Sequence, residues 1–327
     1  MKKKITMPRI WKVIKECFKS FSQYKITKLS ASLAYYTIFS LGPLMIVILF
    51  LAGIFFGRDA VEGTVFTQMR SFVGADAALQ IQEIIKNVSI GGKSHFAAIV
   101  GVVTLLIGTT TMFAEMQDSI NTIWGLKASP KVGFMKLLID RLLSFGVVAS
   151  LGFLLLVSLG VSAIIESLNT KISIIFPDIA VSLLYVVNIV ITFGIITSLF
   201  MIIFKVLPDA NIKWKDVLSG SVTTAFLFML GKFAISYYIS KFNIGSTYGT
   251  AGSLIILIVW IYYSAIILYF GASFTRAFAM EFGGSIHPNE YAIISKTVDV
   301  EAGKKSLQKG DKEVEEKVKK LNEDSEK

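Results

Sequence analysis

Between Gly249 and Ala272 the chain carries no charged residue. At 1.5 Å rise per residue, about 20 apolar positions cross the hydrocarbon core of a bilayer, so this stretch is expected to span a membrane as a helix. Small residues four apart, Gly245, Gly249 and Ser253, stand at its start. In lipid no hydrophobic effect draws helices together, and small residues let a neighbour pack close. The helix is therefore expected to pack against others. Composition agrees: 54% of the 327 residues are hydrophobic and 17% charged, and the mean hydropathy is +0.65. A soluble domain of this size cannot hide that much apolar surface.

Five further stretches have the same character, so the expected fold class is all-α: a polytopic membrane protein with six transmembrane helices plus amphipathic interfacial helices. The spans fall at about 33–56, 96–113, 142–165, 179–204, 217–239 and 249–276. Gly42 and Pro43 predict a kink in the first, because proline removes a ladder hydrogen bond. The helix of the second is expected to continue through Glu115, Asp118 and Asn121 toward Trp124. The excursion 58–95 divides at Gly74 into two short amphipathic patterns, too short to span and suited to lying against the bundle or the lipid surface. Within KVLPDANIKWK at 205–215, Pro208 and Asp209 punctuate a compact turn. Residues 281–327 read as a charged tail.

Residues 1–28 hold nine Lys or Arg against one acid, Glu16. Trp11, Ile14, Phe18 and Phe21 recur at helical spacing while Lys12, Lys15 and Lys19 fall elsewhere on the turn, the pattern of a basic helix in the membrane interface. Loops 115–136 and 205–216 carry three Lys or Arg each, whereas 166–178 and 241–248 carry one each. Excess positive charge marks the cytoplasmic side, so both termini are expected to be cytoplasmic. The net charge of +10 then fits anionic lipid head groups rather than nucleic acid, and membrane lipids are the expected partners. Cys17 is the only cysteine and His95 and His287 the only histidines. No internal disulfide, cysteine-rich zinc site or histidine-rich metal centre can be built from them, and neither a cofactor nor a metal is expected.

Several stretches resemble the YihY/BrkB family of bacterial inner-membrane proteins, once labelled ribonuclease BN. They are KLSASLAYYTIFSLGPLMI at 28–46, DSINTIWG at 118–125, KVLPDANIKWKDVLSGS at 205–221 and the long run from Gly231 to Ala279 with its YG-x-AGS, W-x-Y-Y-S and F-G-A segments. The resemblance implies a six-helix inner-membrane fold with cytoplasmic ends. The labels attached to the family, ribonuclease, virulence factor and transporter, disagree about activity. The family commonly has Gly-Ala-Glu where this chain has Gly271, Ala272 and Ser273, so a role needing an acid there does not carry over.

Each span shows one stripe of small or polar residues, which helix packing alone explains and which, facing one another, could also line a polar cavity. Lys232 stands out. A lysine at the centre of a span costs about 2.5–3.5 kcal/mol on insertion scales, so it faces protein, water or an acid, unless it snorkels along its four-carbon stem. Asn188 falls at a similar depth, roughly 12 Å in by helical rise. Lys232, Asn188, Ser236, Tyr36 and Trp260 are the candidate substrate-binding residues. No catalytic residue is expected: a metal-dependent nuclease needs clustered His and carboxylate ligands, and no G-x-S-x-G, phosphate-binding loop or H-E-x-x-H occurs. Two functions emerge as expectations, transport of an anionic lipid or other amphiphile or solute across or within the membrane, or an envelope scaffold with a solid bundle. The topology is tested by cysteines introduced at Gly91 and Asp311, which should be labelled from opposite sides of the membrane. Labelling from one side breaks the six-span arrangement.

Overall fold

The computed structural model describes residues 6–40, 79, 95–129, 146, 150, 177–242, 252–283 and 286–295. Nearly all of the third span, the Pro43 kink, nearly all of the excursion 58–95 and the tail beyond 295 lie outside the described residues. The chain divides into two compact units, residues 1–293 and 294–327. Of the second, only Ile294 and Ser295 are described, and every described helix belongs to the first.

The described chain is mostly helical. Helix α1 runs Met7–Gln23, α2 covers 26–40, α3 is His95–Trp124 and α4 is Pro177–Val206. Then come α5, Trp214–Phe242, and α6, Gly252–Phe282. Within the last three, Val186–Val206, Trp214–Ile235 and Ile255–Phe282 are long and apolar enough to cross a membrane. Helix α3 does continue to Trp124, as its sequence led one to expect.

Four short strands amend the all-helical expectation: β1 Leu126–Ala128, β2 Ala210–Asn211, β3 His287–Pro288 and β4 Ala292–Ile294. β1 pairs with β4, and β2 with β3, the latter antiparallel with Ala210 opposite Pro288 and Asn211 opposite His287. Pro208 and Pro288 stop helix formation here, and the backbone groups they strand must find partners across the chain. The segment after α6 is thus not free tail from residue 281: Asn289 N–H donates to Asp209 O at 3.0 Å, Ser129 N–H donates to Tyr291 O at 2.9 Å, and Ala292 is buried.

The α5–α6 contact is the closest in the described bundle. A Cβ at Gly220 would overlap Thr275, one at Gly271 would overlap Thr224, and one at Gly231 would overlap the Tyr263 hydroxyl. Glycine on each helix therefore receives the side chain of the other, a reciprocal fit that brings the antiparallel backbones together. The two threonines need no partner across the interface, because Thr224 Oγ1 donates to Gly220 O at 2.7 Å and Thr275 Oγ1 to Gly271 O at 2.8 Å. Helix α4 joins α5 through aromatic rings, with Phe200 and Phe228 centroids 5.8 Å apart. Helix α3 joins α6 where the Trp124 indole N–H donates to Ala272 O at 3.0 Å. Helix α2 reaches α3 at its end, Ser40 Cα lying 3.5 Å from a Cβ placed on Gly108.

Helix α1 is separate from α2. Lys25 has φ 49°, the left-handed conformation that ends helices, and the Tyr24 N–H closes the last turn onto Ser20 O at 3.0 Å. Its buried residues are Val13, Cys17 and Ser20, of which Val13 and Cys17 pack with Ala277, Phe270, Phe274, Phe278 and Phe282 of α6. The apolar stripe read from the sequence lies partly round the turn from this face: Trp11 and Phe18 are exposed. Small side chains win the protein-facing side because they let α1 approach α6 closely. Burial pushes the Cys17 thiol up to about 12, against a smaller pull from the Ser273 hydroxyl beside it.

Gly220→Ala is expected to lower the thermal midpoint of the detergent-solubilised protein, since overpacking a tight contact costs about 1–3 kcal/mol. Gly194→Ala, whose Cβ meets nothing within 4 Å, should be neutral or gain up to about 1 kcal/mol from helix propensity. Equal shifts in the two variants would contradict the reciprocal glycine fit.

Candidate functional site

Lys232 continues a stripe of α5. Ser221 and Ala225 are fully buried, Phe228 is packed on the main core, and Lys232 comes one turn later, half-buried. The outward stripe of the same helix is different and wholly apolar: Leu218, Val222, Phe226, Leu230, Phe233 and Tyr237 are exposed. The lysine stem thus leaves the flank of α5 nearer to the bundle than to this outward face.

Its neighbours on α5 fix what lies beside it. Gly231 is pressed against the Tyr263 hydroxyl, and Ile235 clusters with Ile256, Val259, Trp260 and Tyr263 of α6. Trp260 meets Phe228 edge-on at 5.8 Å between centroids. The Trp260 indole nitrogen is buried and has no hydrogen-bond partner among the described residues. An N–H can only donate, and so can an ammonium. This level of the α5–α6 pair therefore holds two donor groups on adjoining helices, and a ligand group that meets either is an acceptor, best an anionic oxygen. From Val217 to Thr275 the charged residues are Lys232 and Lys241, and the stretch contains no acid.

The other candidates are placed differently. Ser236 comes one turn of α5 after Lys232, and its side chain lies outside the described residues. Tyr36 packs against the main apolar core, a cluster distinct from that of Trp260. Asn188 is exposed, with its Oδ1 accepting from Thr192 Oγ1 at 3.3 Å on the same helix. It lies two turns before Ile196, where α4 becomes buried. Counting rise gave its height and not its direction.

A second polar constellation was read from the sequence only as turn punctuation. Asp209 is buried and gathers partners from two distant segments. Asn121 Nδ2 donates to Asp209 Oδ2 at 2.9 Å, Asp209 N–H donates to Asn121 Oδ1 at 2.9 Å, and Asn289 Nδ2 donates to Asp209 Oδ1 at 3.1 Å. Asn289 Oδ1 in turn accepts from Tyr291 N–H at 3.0 Å. Beside this knot Lys205 Nζ donates to Ile212 O at 2.6 Å and lies 5.4 Å from the Trp214 ring centroid. These donors are spoken for by the fold, so the knot is a clasp and not a ligand site. It joins DSINTIWG to LPDANIKW, two of the stretches that carried the family resemblance. Among the described residues no group of three or more His, Cys, Asp or Glu could hold a metal ion.

Asn121→Ala should destabilise by about 1–3 kcal/mol, because it strands one carboxylate oxygen and one backbone N–H of Asp209. Thermal unfolding in detergent reads this directly, and an unchanged midpoint would show that water reaches Asp209 and replaces the lost partner.

The profile of the family described as Virulence factor BrkB matches residues 17–290, a span that includes Lys232, Trp260 and all three clasp residues. A UPF0761 membrane protein of Stenotrophomonas maltophilia is 28% identical over 268 residues, covering 79% of this chain and 59% of the relative. One from Pseudomonas aeruginosa is 29% identical over 252 residues, with 74% and 57% covered. One from Teredinibacter turnerae is 24% identical over 271 residues, with 81% and 60% covered. The chain matches less than two thirds of the length of each. No solved structure matches. With a profile match over most of its length, relatives named as membrane proteins, and three helices able to cross a bilayer, this chain is a membrane protein of the Virulence factor BrkB family.

Proposed function

We propose that the protein is a six-span bundle of the bacterial plasma membrane, with both termini cytoplasmic, that moves an anionic amphiphile across or within the bilayer. The observation that carries this reading is Lys232, half-buried on the flank of an otherwise uncharged helix segment, level with the buried Trp260 indole, which has no partner among the described residues. A cation held at that depth is costly, and such residues mark substrate paths. The composition selects the substrate. Two donors in a stretch of chain without acids suit a phosphate or carboxylate, and they disfavour a cation carrier or proton pump, which places carboxylates along its path. An amphiphile suits a lysine at a helix flank, since its head can meet the ammonium while its tails stay in lipid beside the exposed apolar stripe of α5.

The test is reconstitution in liposomes carrying a labelled anionic phospholipid, with redistribution between leaflets as the readout. The parent protein should exceed empty liposomes. Lys232→Leu should lose about tenfold or more, the size of one charge-assisted hydrogen bond, and Lys232→Arg should retain part of the rate. If the parent is no faster than empty liposomes and Lys232→Leu behaves the same, lipid transport is rejected. A scaffold with a solid bundle is then the better description.

A further inference from the structure

Helix α1 divides into three sectors at about 100° per residue. Val13, Cys17 and Ser20 are buried, the first two against α6. Next to that face Met7, Trp11 and Phe18 share a second sector, 81%, 69% and 64% exposed. Lys12, Lys15, Glu16 and Lys19 fill the third, and all four are exposed or nearly so. Two adjoining apolar faces backed by a basic one are more than a docked helix needs. One face meets protein, and the other is left for something apolar next to something anionic.

Where α1 sits names that surroundings. Helix α6 has 31 residues, about 46 Å, and overshoots a hydrocarbon core of about 30 Å. Its first charge after the uncharged run is Arg276, which donates to the Tyr24 hydroxyl at 3.1 Å just past the end of α1. Phe18 lies edge-on to Phe270 at 5.7 Å, while Lys12 Nζ reaches Glu281 Oε2 at 2.8 Å and Arg9 Nε is 3.7 Å from Glu281 Oε1. The contacts of α1 thus straddle the level where α6 leaves hydrocarbon, with the left-handed Lys25 turning the chain into α2.

We propose that α1 is a membrane-surface anchor for anionic phospholipid: Phe18, Trp11 and Met7 enter the leaflet beside the end of α6, and Lys15 and Lys19 meet lipid phosphates. An indole suits the head-group level, and each lysine near an anionic surface adds electrostatic attraction. Arg9 and Lys12 are turned to Glu281 and fix the helix to the bundle, which leaves Lys15 and Lys19 for lipid. The anchor rests on the membrane-spanning reading of α6 and is independent of transport at Lys232.

The test uses the full chain with Cys17→Ala and single cysteines in place of Trp11, Lys15, Phe18 or Ile258, each spin-labelled in nanodiscs. The discs hold either phosphatidylcholine alone or phosphatidylcholine with phosphatidylglycerol. Collision with oxygen reports apolar surroundings and collision with a water-soluble nickel chelate reports water. Labels at 11, 18 and 258 should favour oxygen, and the label at 15 should favour nickel. In phosphatidylglycerol discs, Lys15→Gln with Lys19→Gln should shift the label at 11 toward nickel by threefold or more, with little change in phosphatidylcholine. Labels at 11 and 18 that favour nickel, or that neither reagent reaches, overturn the anchor while 258 favours oxygen. If 258 favours nickel, the spanning reading itself fails. A double variant that behaves alike in both lipids overturns the anionic preference.

Discussion

The bundle depends on how closely α5 and α6 approach. In lipid, helices gain nothing from hiding apolar surface, so van der Waals contact must hold them, and contact at this range needs glycine. Gly220 and Gly271 supply it in exchange for Thr275 and Thr224. Each threonine hydroxyl is satisfied by a carbonyl of its own helix, so these two buried oxygens are not stranded. Other described helices join through this pair: α4 stacks aromatic rings on α5, and α1 and α3 meet α6. The same pair carries Lys232 and Trp260, so the geometry of the candidate site is inherited from the glycine contact.

At the end of the bundle the buried Asp209 is held by satisfaction of its polar groups. A carboxylate taken out of water is tolerated when its oxygens are hydrogen-bonded, and Asp209 has an amide donor on each. The clasp joins the end of α3, the turn between α4 and α5, and the segment after α6. Two of the stretches resembling the family meet here, which gives their residues a structural reason. Such a clasp fixes where the helices end. It leaves the chemistry at Lys232 to be decided by other residues.

The helices α4, α5 and α6 were legible because a membrane span is a long, nearly uninterrupted signal. The bounds read for α4 and α5 fall within about three residues of those seen. The sixth span was read to 276, where charge begins, yet α6 runs to Phe282. Charge did not end it because α1 brings Arg9 and Lys12 to Glu281 and Tyr24 to Arg276. Direction was harder to read than depth. Apolar periodicity does not tell a lipid-facing side from a protein-facing one, so the burial of Val13 and Cys17 on α1 and the exposure of Asn188 could not be foreseen. Asp209 passed for a turn residue because its partners stand 88 and 80 positions away in sequence. The buried indole of Trp260 comes from the α5–α6 register, which no local pattern encodes.

The reading of Lys232 as an anion-binding residue is tested most directly by an electron-microscopy map of the protein in nanodiscs containing anionic lipid, detailed enough to place its Nζ. The expected result is density for a phosphate or carboxylate within about 3 Å of Nζ, on the bundle side of α5. A Lys232 side chain extended along the outside of α5 to the head-group layer, beside a solid interior with no anion, would contradict it.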